Sequence, residues 1–114
     1  MFKDFTEMPV WQKAMEIAVE CFFLSERLPR KEDYGLTSQL RRSAESISAN
    51  IAEAFGRRSN KDKSRVYDIS RSEAFETKNH LIYTIVRYAG LFFDDLTCLI
   101  VLCAIMKYMM LLRR

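Results

Sequence analysis

Apolar residues recur through most of the chain at intervals of three and four positions, the spacing of a helix with one buried face. No segment alternates apolar and polar residues over the length of a strand. The pattern predicts four helices, at about residues 9–28, 36–56, 60–89 and 95–112. Because the connections are short, we expect one all-α domain over residues 1–114, folded as an antiparallel up-down-up-down four-helix bundle.

Residues typical of helix ends lie at these limits. Pro9 suits the first turn of a helix, where the amide hydrogen it lacks is not needed. Pro29 disfavours helical geometry in the residue before it, and Gly56 is a common residue type at a helix end. Ser59, three residues before Asp62, indicates a capping arrangement at the start of the third helix.

The predicted core takes one stripe from each of the first three helices. In the first helix it is Val10, Ala14, Ile17, Cys21, Leu24 and Leu28, beside a second apolar stripe of Trp11, Met15, Ala18 and Phe22. In the second helix it is Leu36, Leu40, Ala44, Ile47, Ile51 and Phe55. In the third it is Tyr67, Ser70, Ala74, Thr77, Leu81, Ile85 and Tyr88. The first half of the third helix is more polar, so we expect it to pack loosely or against another chain.

Two helices have surfaces that leave alternatives open. Outside its core stripe the second helix carries small side chains framed by charges, where either another helix packs or solvent lies. The fourth helix has two apolar stripes, one through Cys103 and one through Ile105, and a single bundle buries only one of them. The 17 residues from Leu96 to Leu112 include Lys107 and fall short of a membrane span. Burial in a homo-oligomer is therefore favoured over a membrane.

The composition indicates a folded chain, since 49% of residues are hydrophobic and 29% are charged. The formal net charge of +3 is too small to indicate nucleic-acid binding by itself. Cys21, Cys98 and Cys103 lie in apolar runs, so we expect buried, reduced thiols in a cytoplasmic protein. The first residues lack the apolar run of a signal peptide, which agrees with that location.

The residues that could carry chemistry are few. His80 is the only histidine and no C-x-x-C motif occurs, so we expect no metal and no cofactor, with His80 partly exposed at a surface or edge. Glu73 and Glu76 could form an acid–base pair, but Arg71 and Lys78 nearby favour a face of ion pairs. We therefore expect that the protein is not an enzyme.

Positive charge is concentrated near the predicted turn between the second and third helices. The basic residues there are Arg57, Arg58, Lys61, Lys63, Arg65 and Arg71. Such a cluster can neutralise phosphates, and repetition in an oligomer would strengthen its field. The alternative is an ordinary solvated turn, since Asp62 and Asp68 dilute the charge.

Three segments carry a resemblance to a known family. They are VWQKA at Val10–Ala14, YGLTSQLRRSAESISANIAEA at Tyr34–Ala54 and SEAFET at Ser72–Thr77. These segments resemble the four-helix bundle family of the 23S ribosomal RNA intervening-sequence proteins, with QLRR-S-A-x-S-I-x-x-N-I-A-E as the most specific part. The chain departs from the family pattern at Ser48 and Ala54, where the family usually has Pro and Gly.

The resemblance implies an antiparallel four-helix bundle in a bacterial or related cytoplasm, assembled as a ring-like homopentamer. It also implies similarity to the accessory variability protein of diversity-generating retroelements, a basic pentameric bundle that binds nucleic acid and a reverse transcriptase. Arg41, Arg42, Asn50 and Glu53 match the family motif by position. These residues would either contact RNA or tie helices or subunits together, and the second role is favoured because Arg and Glu form strong pairs.

Two hypotheses of function follow. The first is a non-enzymatic oligomeric bundle that binds RNA, or an RNA–protein assembly, through the basic residues from Arg57 to Arg71 and also through Arg41 and Arg42. The second is a protein–protein scaffold whose basic turn has no nucleic-acid role. A nuclease is disfavoured because the sequence lacks the acidic metal-binding cluster or activated histidine that it would need.

Overall fold

Helices account for nearly all of the regular structure in a computed structural model of the chain. The structure describes residues 1–88, 103–105 and 107. The long helices are α1 (Pro9–Ser25), α2 (Leu36–Gly56) and α3 (Asn60–Arg87), and two short 3-10 helices lie at Phe5–Glu7 and Arg30–Glu32. Residues 103–105 and 107 are also helical, and no strand occurs in this part of the chain. The prediction of an all-α fold is confirmed.

The helix limits predicted from the sequence agree closely with the structure. Both ends of α2 and the first residues of α1 and α3 are those predicted, with Pro9 in the first turn of α1. The third helix ends at Arg87 with Tyr88 as its C-cap, two residues before the predicted end at 89. Most of the predicted fourth helix at 95–112 lies outside the described residues. No helix in the described ranges has both the length and the hydropathy needed to cross a membrane.

The first helix ends three residues earlier than predicted. The Arg27 amide donates to the Leu24 carbonyl at 3.1 Å, and the Leu28 amide donates to the Ser25 carbonyl at 3.1 Å. These contacts span three residues rather than four, so the chain tightens into a turn before Pro29. Leu28 remains buried in the core even though it is not helical.

Contacts between α1 and α2 join opposite ends of the two helices. Ser25, the last residue of α1, contacts Arg41 in the first half of α2. Phe5, just before α1, packs on Phe55 near the end of α2. The two helices therefore run in opposite directions.

Buried hydroxyl groups line the contact between α2 and α3. Thr77 Oγ1 hydrogen-bonds with Ser43 Oγ at 2.9 Å, and the Ser70 hydroxyl donates to the Ile47 carbonyl at 2.8 Å. Later α3 residues thus meet earlier α2 residues, so these helices also run in opposite directions. In the first half of α3, Val66, Ser70 and Ala74 are buried, so the expected loose packing of that half is wrong, because small side chains with satisfied hydroxyls let it approach α2 closely. Its packing against another chain stays a prediction.

The core follows the predicted stripes with a few exceptions. Its buried hydrophobic members are Ala14, Ile17, Cys21, Leu24, Leu28, Leu36, Leu40, Ala44, Ile47, Ile51, Ala74, Leu81 and Ile105. Phe55, Tyr67, Ile85 and Tyr88 are only partly buried, whereas Val66 and Thr84 are buried without having been predicted.

The few described residues of the fourth predicted helix distinguish its two apolar stripes. Ile105 is fully buried in the core, whereas Cys103 is exposed and is a free thiol. The prediction of a buried thiol is therefore confirmed for Cys21 and wrong for Cys103, because only one stripe of a helix faces its own core. Cys98 lies outside the described residues.

The second apolar stripe of α1 and the small-residue faces of α2 are covered to different degrees. Met15 and Phe22 of α1 are exposed. On α2, Ala49 is exposed, whereas Ser48 is buried and donates its hydroxyl to the Glu45 carbonyl at 3.0 Å. Only part of the small-residue surface of α2 is therefore in a helix contact.

Candidate nucleic-acid interface

A tight turn joins α2 to α3. Arg57 leaves α2 in an extended conformation (φ −74°, ψ 147°), and Ser59 caps α3 by accepting a hydrogen bond from the Asp62 amide at 3.1 Å. The capping arrangement predicted for Ser59 and Asp62 is confirmed. Gly56 ends α2 without a left-handed conformation, since no described residue has a positive φ.

The Lys63 side chain caps the C-terminal end of α2 rather than extending into solvent. Its ammonium donates to the Phe55 carbonyl at 2.8 Å and to the Ala54 carbonyl at 3.3 Å, and it lies 5.7 Å from the centroid of the Phe55 ring. A cation at a helix C-terminus satisfies carbonyls that have no partner within the helix and interacts favourably with the helix dipole. Lys63 therefore has a structural role in the turn.

Arg57 and Arg71 are exposed and each has a partner on its own helix or beside it. Arg57 pairs with Glu53 four residues earlier, and the Arg71 guanidinium lies 5.8 Å from the centroid of the Phe75 ring. Exposed contacts of this kind are weak. Both side chains could exchange these contacts for a phosphate at small cost.

Three cations of the turn are exposed and have no ion-pair or hydrogen-bond partner for their side chains among residues 1–88, 103–105 and 107. They are Arg58, Lys61 and Arg65, which we call the free basic cluster. Neither Asp62 nor Asp68 is within ion-pair distance of them in the described structure. The two aspartates therefore lower the net charge of this region without occupying the three cations.

Arg41 ties α2 to α1. Its Nε donates to Ser25 Oγ at 2.6 Å, and its guanidinium lies 4.3 Å from the centroid of the Phe22 ring. The Ser25 hydroxyl in turn donates to the Phe22 carbonyl. The Arg41 guanidinium thus contacts both a hydroxyl group and an aromatic ring at the C-terminal end of α1.

Arg42 ties α2 to α3. Its Nη2 donates to Glu76 Oε2 at 2.6 Å, and its Nη1 lies 3.5 Å from Glu73 Oε2. The hydrogen bond from Arg42 is the main cause that lowers the pKa of Glu76, and the same bond raises the pKa of Arg42. The expectation that Arg41 and Arg42 tie helices together is confirmed, while their contact with RNA stays a prediction.

Glu73 and Glu76 of α3 do not pair with Arg71 or Lys78, the cations near them in the sequence. Glu73 and Glu76 pair with Arg42 across the helix contact, whereas Arg71 on their own helix faces Phe75. His80 Nε2 lies 3.6 Å from Glu76 Oε1, with an imidazole that is mostly covered. No group of three or more His, Cys, Asp or Glu in the described ranges is placed to hold a metal ion.

A cluster of three aromatic rings lies beside the basic turn and was not predicted. The Phe5 centroid is 5.3 Å from that of Trp11 and 6.4 Å from that of Phe55, both in edge-to-face geometry. Phe55 also contacts Lys63, so the cluster continues to the turn. The only signal for this cluster in the sequence was that aromatic residues precede α1, and that signal does not identify the rings that they contact. Trp11 is the only tryptophan, so it can report on this end of the fold.

A family model described as 23S rRNA-intervening sequence protein matches residues 6–95 of the chain. The chain belongs to this family. The match includes α1, α2, the basic turn and α3. A comparison with curated proteins finds no match.

The motif residues of α2 make internal contacts in this family member. Arg41 and Arg42 bridge to α1 and α3 as described above. Asn50 Nδ2 donates to the Ser46 carbonyl at 2.7 Å, and Glu53 pairs with Arg57. The expectation that the motif residues tie helices together is therefore wrong for Asn50 and Glu53, which contact α2 itself or its end. The free cations lie beyond the end of α2.

Proposed function

We propose that the protein is a non-enzymatic, oligomeric four-helix bundle of the cytoplasm that binds RNA, or an RNA–protein assembly, through its basic surface. In this proposal a fourth helix completes an antiparallel up-down-up-down bundle. The opposite directions of successive helices in α1–α3 and the burial of Ile105 in their core support this arrangement.

The observation that carries the proposal is the free basic cluster at the start of α3. Arg58, Lys61 and Arg65 lie within eight positions and are exposed, and no carboxylate among the described residues neutralises them. Cations of this kind bind phosphates and release the counterions condensed on RNA. The family name refers to ribosomal RNA insertions, which makes a structured RNA the ligand of choice.

In this proposal the eight basic residues predicted for the interface differ in how they contribute. The free basic cluster contacts phosphate first, and Arg57 and Arg71 join after giving up weak local contacts. Lys63, Arg41 and Arg42 contribute charge to the field while their side chains stay in internal contacts. Recognition of this type reads the backbone and shape of RNA rather than its bases.

Two matched charge reversals test RNA binding. Arg58→Glu with Lys61→Glu alters the free basic cluster, and Arg30→Glu with Lys31→Glu makes the same change of charge at exposed residues near the opposite end of α2, about 30 Å away. Fluorescence anisotropy of a labelled RNA hairpin is recorded at 50 to 200 mM salt.

The first variant should lose most of its affinity at every salt concentration and lower the slope of log affinity against log salt by about 1.5. The second should bind within about threefold of the unaltered chain. Equal losses for both variants would show that only net charge matters, and undiminished binding by the first would overturn the proposed interface.

The oligomer is a homopentamer in this proposal, in keeping with the resemblance of the sequence. Light scattering after gel filtration measures the mass directly. A chain that stays monomeric at micromolar concentration would remove oligomerisation from the proposal and leave RNA binding to be judged on the titration.

A second candidate function is a protein–protein scaffold, with a reverse transcriptase as one partner that the resemblance suggests. The exposed apolar residues on α1 and α3 favour it. Retained oligomerisation without any RNA binding at 50 mM salt would select this function over the first.

A further inference from the structure

A cavity lies between the first turn of α2, the second half of α3 and the link that precedes α2. Its volume is about 370 Å³, within the range of about 300–1,000 Å³ that is usual for small-molecule sites. The residues that line it are Glu32, Leu36, Gln39, Asn79, His80 and Tyr83. Asn79 is about 27 Å along α3 from Lys61 of the free basic cluster. The cavity is therefore separate from the proposed phosphate contacts.

Two side-chain amides and an aromatic ring are available in this cavity. Gln39 of α2 and Asn79 of α3 are exposed, and neither has a hydrogen-bond partner for its side chain among the described residues. Each amide offers donors together with an acceptor. The Tyr83 ring is 54% exposed, and the buried Leu36 adds an apolar contact. The lining can therefore pair with the edge of a ligand and also cover its face.

Two other lining residues are held by neighbours outside the cavity. Glu32 accepts a hydrogen bond from the Tyr88 hydroxyl at 2.7 Å, which ties the link before α2 to the end of α3. His80 Nε2 is covered and lies 3.6 Å from Glu76 Oε1, and Glu76 is itself held by Arg42. A carboxylate and an imidazole are thus positioned before a ligand arrives, which lowers the entropic cost of binding.

The chemistry of the lining narrows the class of ligand. No lysine or arginine of the described residues lines the cavity, so an anionic ligand would find no ion-pair partner there. Glu32 is the one carboxylate of the lining, too few for a calcium or magnesium site. Amides and a carboxylate beside an aromatic ring are the side chains that pair with the edges of nucleobases and stack on their faces. A flat, uncharged ring with donors and acceptors along its edge therefore fits best.

We propose that this cavity binds an adenine base, supplied either by a free nucleoside or by an unpaired nucleotide of an RNA. An amide of Gln39 or Asn79 pairs with the N6 and N7 edge of the base, and the second hydrogen of the amino group is donated to Glu32. The ring stacks on Tyr83. A base with a carbonyl in place of the amino group is disfavoured, because its oxygen would oppose the Glu32 carboxylate.

Titration of the ¹⁵N-labelled chain with two nucleosides tests the site directly. Adenosine should shift the side-chain amide signals of Gln39 and Asn79 and saturate with a dissociation constant of about 1 mM or below. Inosine carries a carbonyl where adenosine has the amino group, and it should bind at least about tenfold more weakly because the hydrogen bond to a charged acceptor is lost. Unshifted amide signals, or equal binding of the two nucleosides, would overturn the proposal.

Substitutions in the lining give a second measurement. Glu32→Gln should bring the affinities for adenosine and inosine within about threefold of each other, because the new amide can donate to the carbonyl of inosine. Asn79→Ala, at an exposed position that carries none of the core, should weaken adenosine binding at least about threefold. Glu45→Gln makes the same change of charge at an exposed residue of α2 outside the cavity and should have no effect. Circular dichroism establishes that all three are folded, and full adenosine preference in both lining variants would contradict the assigned contacts.

Two RNA hairpins distinguish the sources of the base. One has a single unpaired adenine in its stem and the other is fully paired there, and both are titrated against the same amide signals. Shifts with adenosine and with the first hairpin alone assign the cavity to an unpaired base of RNA, whereas shifts with adenosine alone assign it to a free nucleoside. Equal shifts with the two hairpins would overturn base recognition.

The base site and the basic interface are tested separately. Adenosine carries no phosphate, so the variant with Arg58→Glu and Lys61→Glu should bind it within about twofold of the unaltered chain. Loss of RNA binding in that variant with adenosine binding retained supports both sites. Loss of adenosine binding in the same variant would overturn the independence of the cavity.

Discussion

Arg42 in α2 donates a hydrogen bond to Glu76 in α3 across 34 positions of sequence, with 2.6 Å between Nη2 and Oε2. The same guanidinium reaches Glu73, so a residue of the family motif holds the helix contact together. The functional consequence is that Arg42 in α2 stabilises the fold, whereas the free basic cluster beyond the end of α2 remains available to a ligand.

The contribution of this pair should depend on pH. Because the hydrogen bond from Arg42 lowers the pKa of folded Glu76 below its ordinary 4.5, the stabilisation is fully present above the unfolded pKa and is lost as pH falls through the folded one. Both side chains are more than one third exposed, so we expect at most about 1 kcal/mol. Urea unfolding of the unaltered chain and of Glu76→Gln should differ at pH 7 and converge near pH 3. A constant difference would contradict this assignment.

Two lysines of the turn should respond in opposite ways to the same substitution. Lys63→Met should lower the free energy of unfolding by about 1 kcal/mol, because the carbonyls of Ala54 and Phe55 lose their donor. Lys61→Met should leave stability within about 0.5 kcal/mol and should weaken RNA binding more. Thermal melts and RNA titrations of both variants give the comparison, and a Lys61→Met variant that is the less stable of the two would contradict the described roles.

The cap of α3 should be measurable at a single hydroxyl. Ser59→Ala removes the acceptor of the Asp62 amide and should cost about 1 kcal/mol. Ser64→Ala, at an exposed position inside the same helix, should be neutral or slightly stabilising. Chemical denaturation followed by circular dichroism measures both, and equal effects would exclude a capping role for Ser59.

Burial on α3 should separate two apolar residues. Leu81 is fully buried, so Leu81→Ala should cost about 2–5 kcal/mol. Val86 is 75% exposed, so Val86→Ala should change the unfolding of the dissociated chain by less than about 0.5 kcal/mol. Denaturation at concentrations where the chain is monomeric gives the two values, and a large loss for Val86→Ala would mean that this residue belongs to the core of the chain.

Local signals in the sequence were sufficient for most of the helix limits and most of the core. Pro9 and the Ser59–Asp62 pair act within a few residues of themselves, so their effect is visible without the fold. The buried stripe of α2 follows from helical periodicity in the same way.

Contacts between distant residues were not predictable from the sequence. The rotation of α3 against α2 decides that Glu76 meets Arg42 rather than a cation of its own helix. The inward stripe of a helix with two apolar faces is likewise settled by its neighbours, which is why the exposure of Cys103 was missed. The hydrogen bond from Lys63 to the Phe55 carbonyl likewise depends on the rotation of α3 and on its position against the end of α2.

Lys63 also sets the rotation of the first turns of α3. Residues two positions apart on a helix point to nearly opposite sides, so fixing Lys63 against α2 directs Lys61 and Arg65 away from the bundle. The cation that is least available to a ligand is thus the one that directs the other two away from the bundle. Replacing Lys63 would leave the three cations of the free basic cluster in place. The direction in which Lys61 and Arg65 point would then be less firmly fixed.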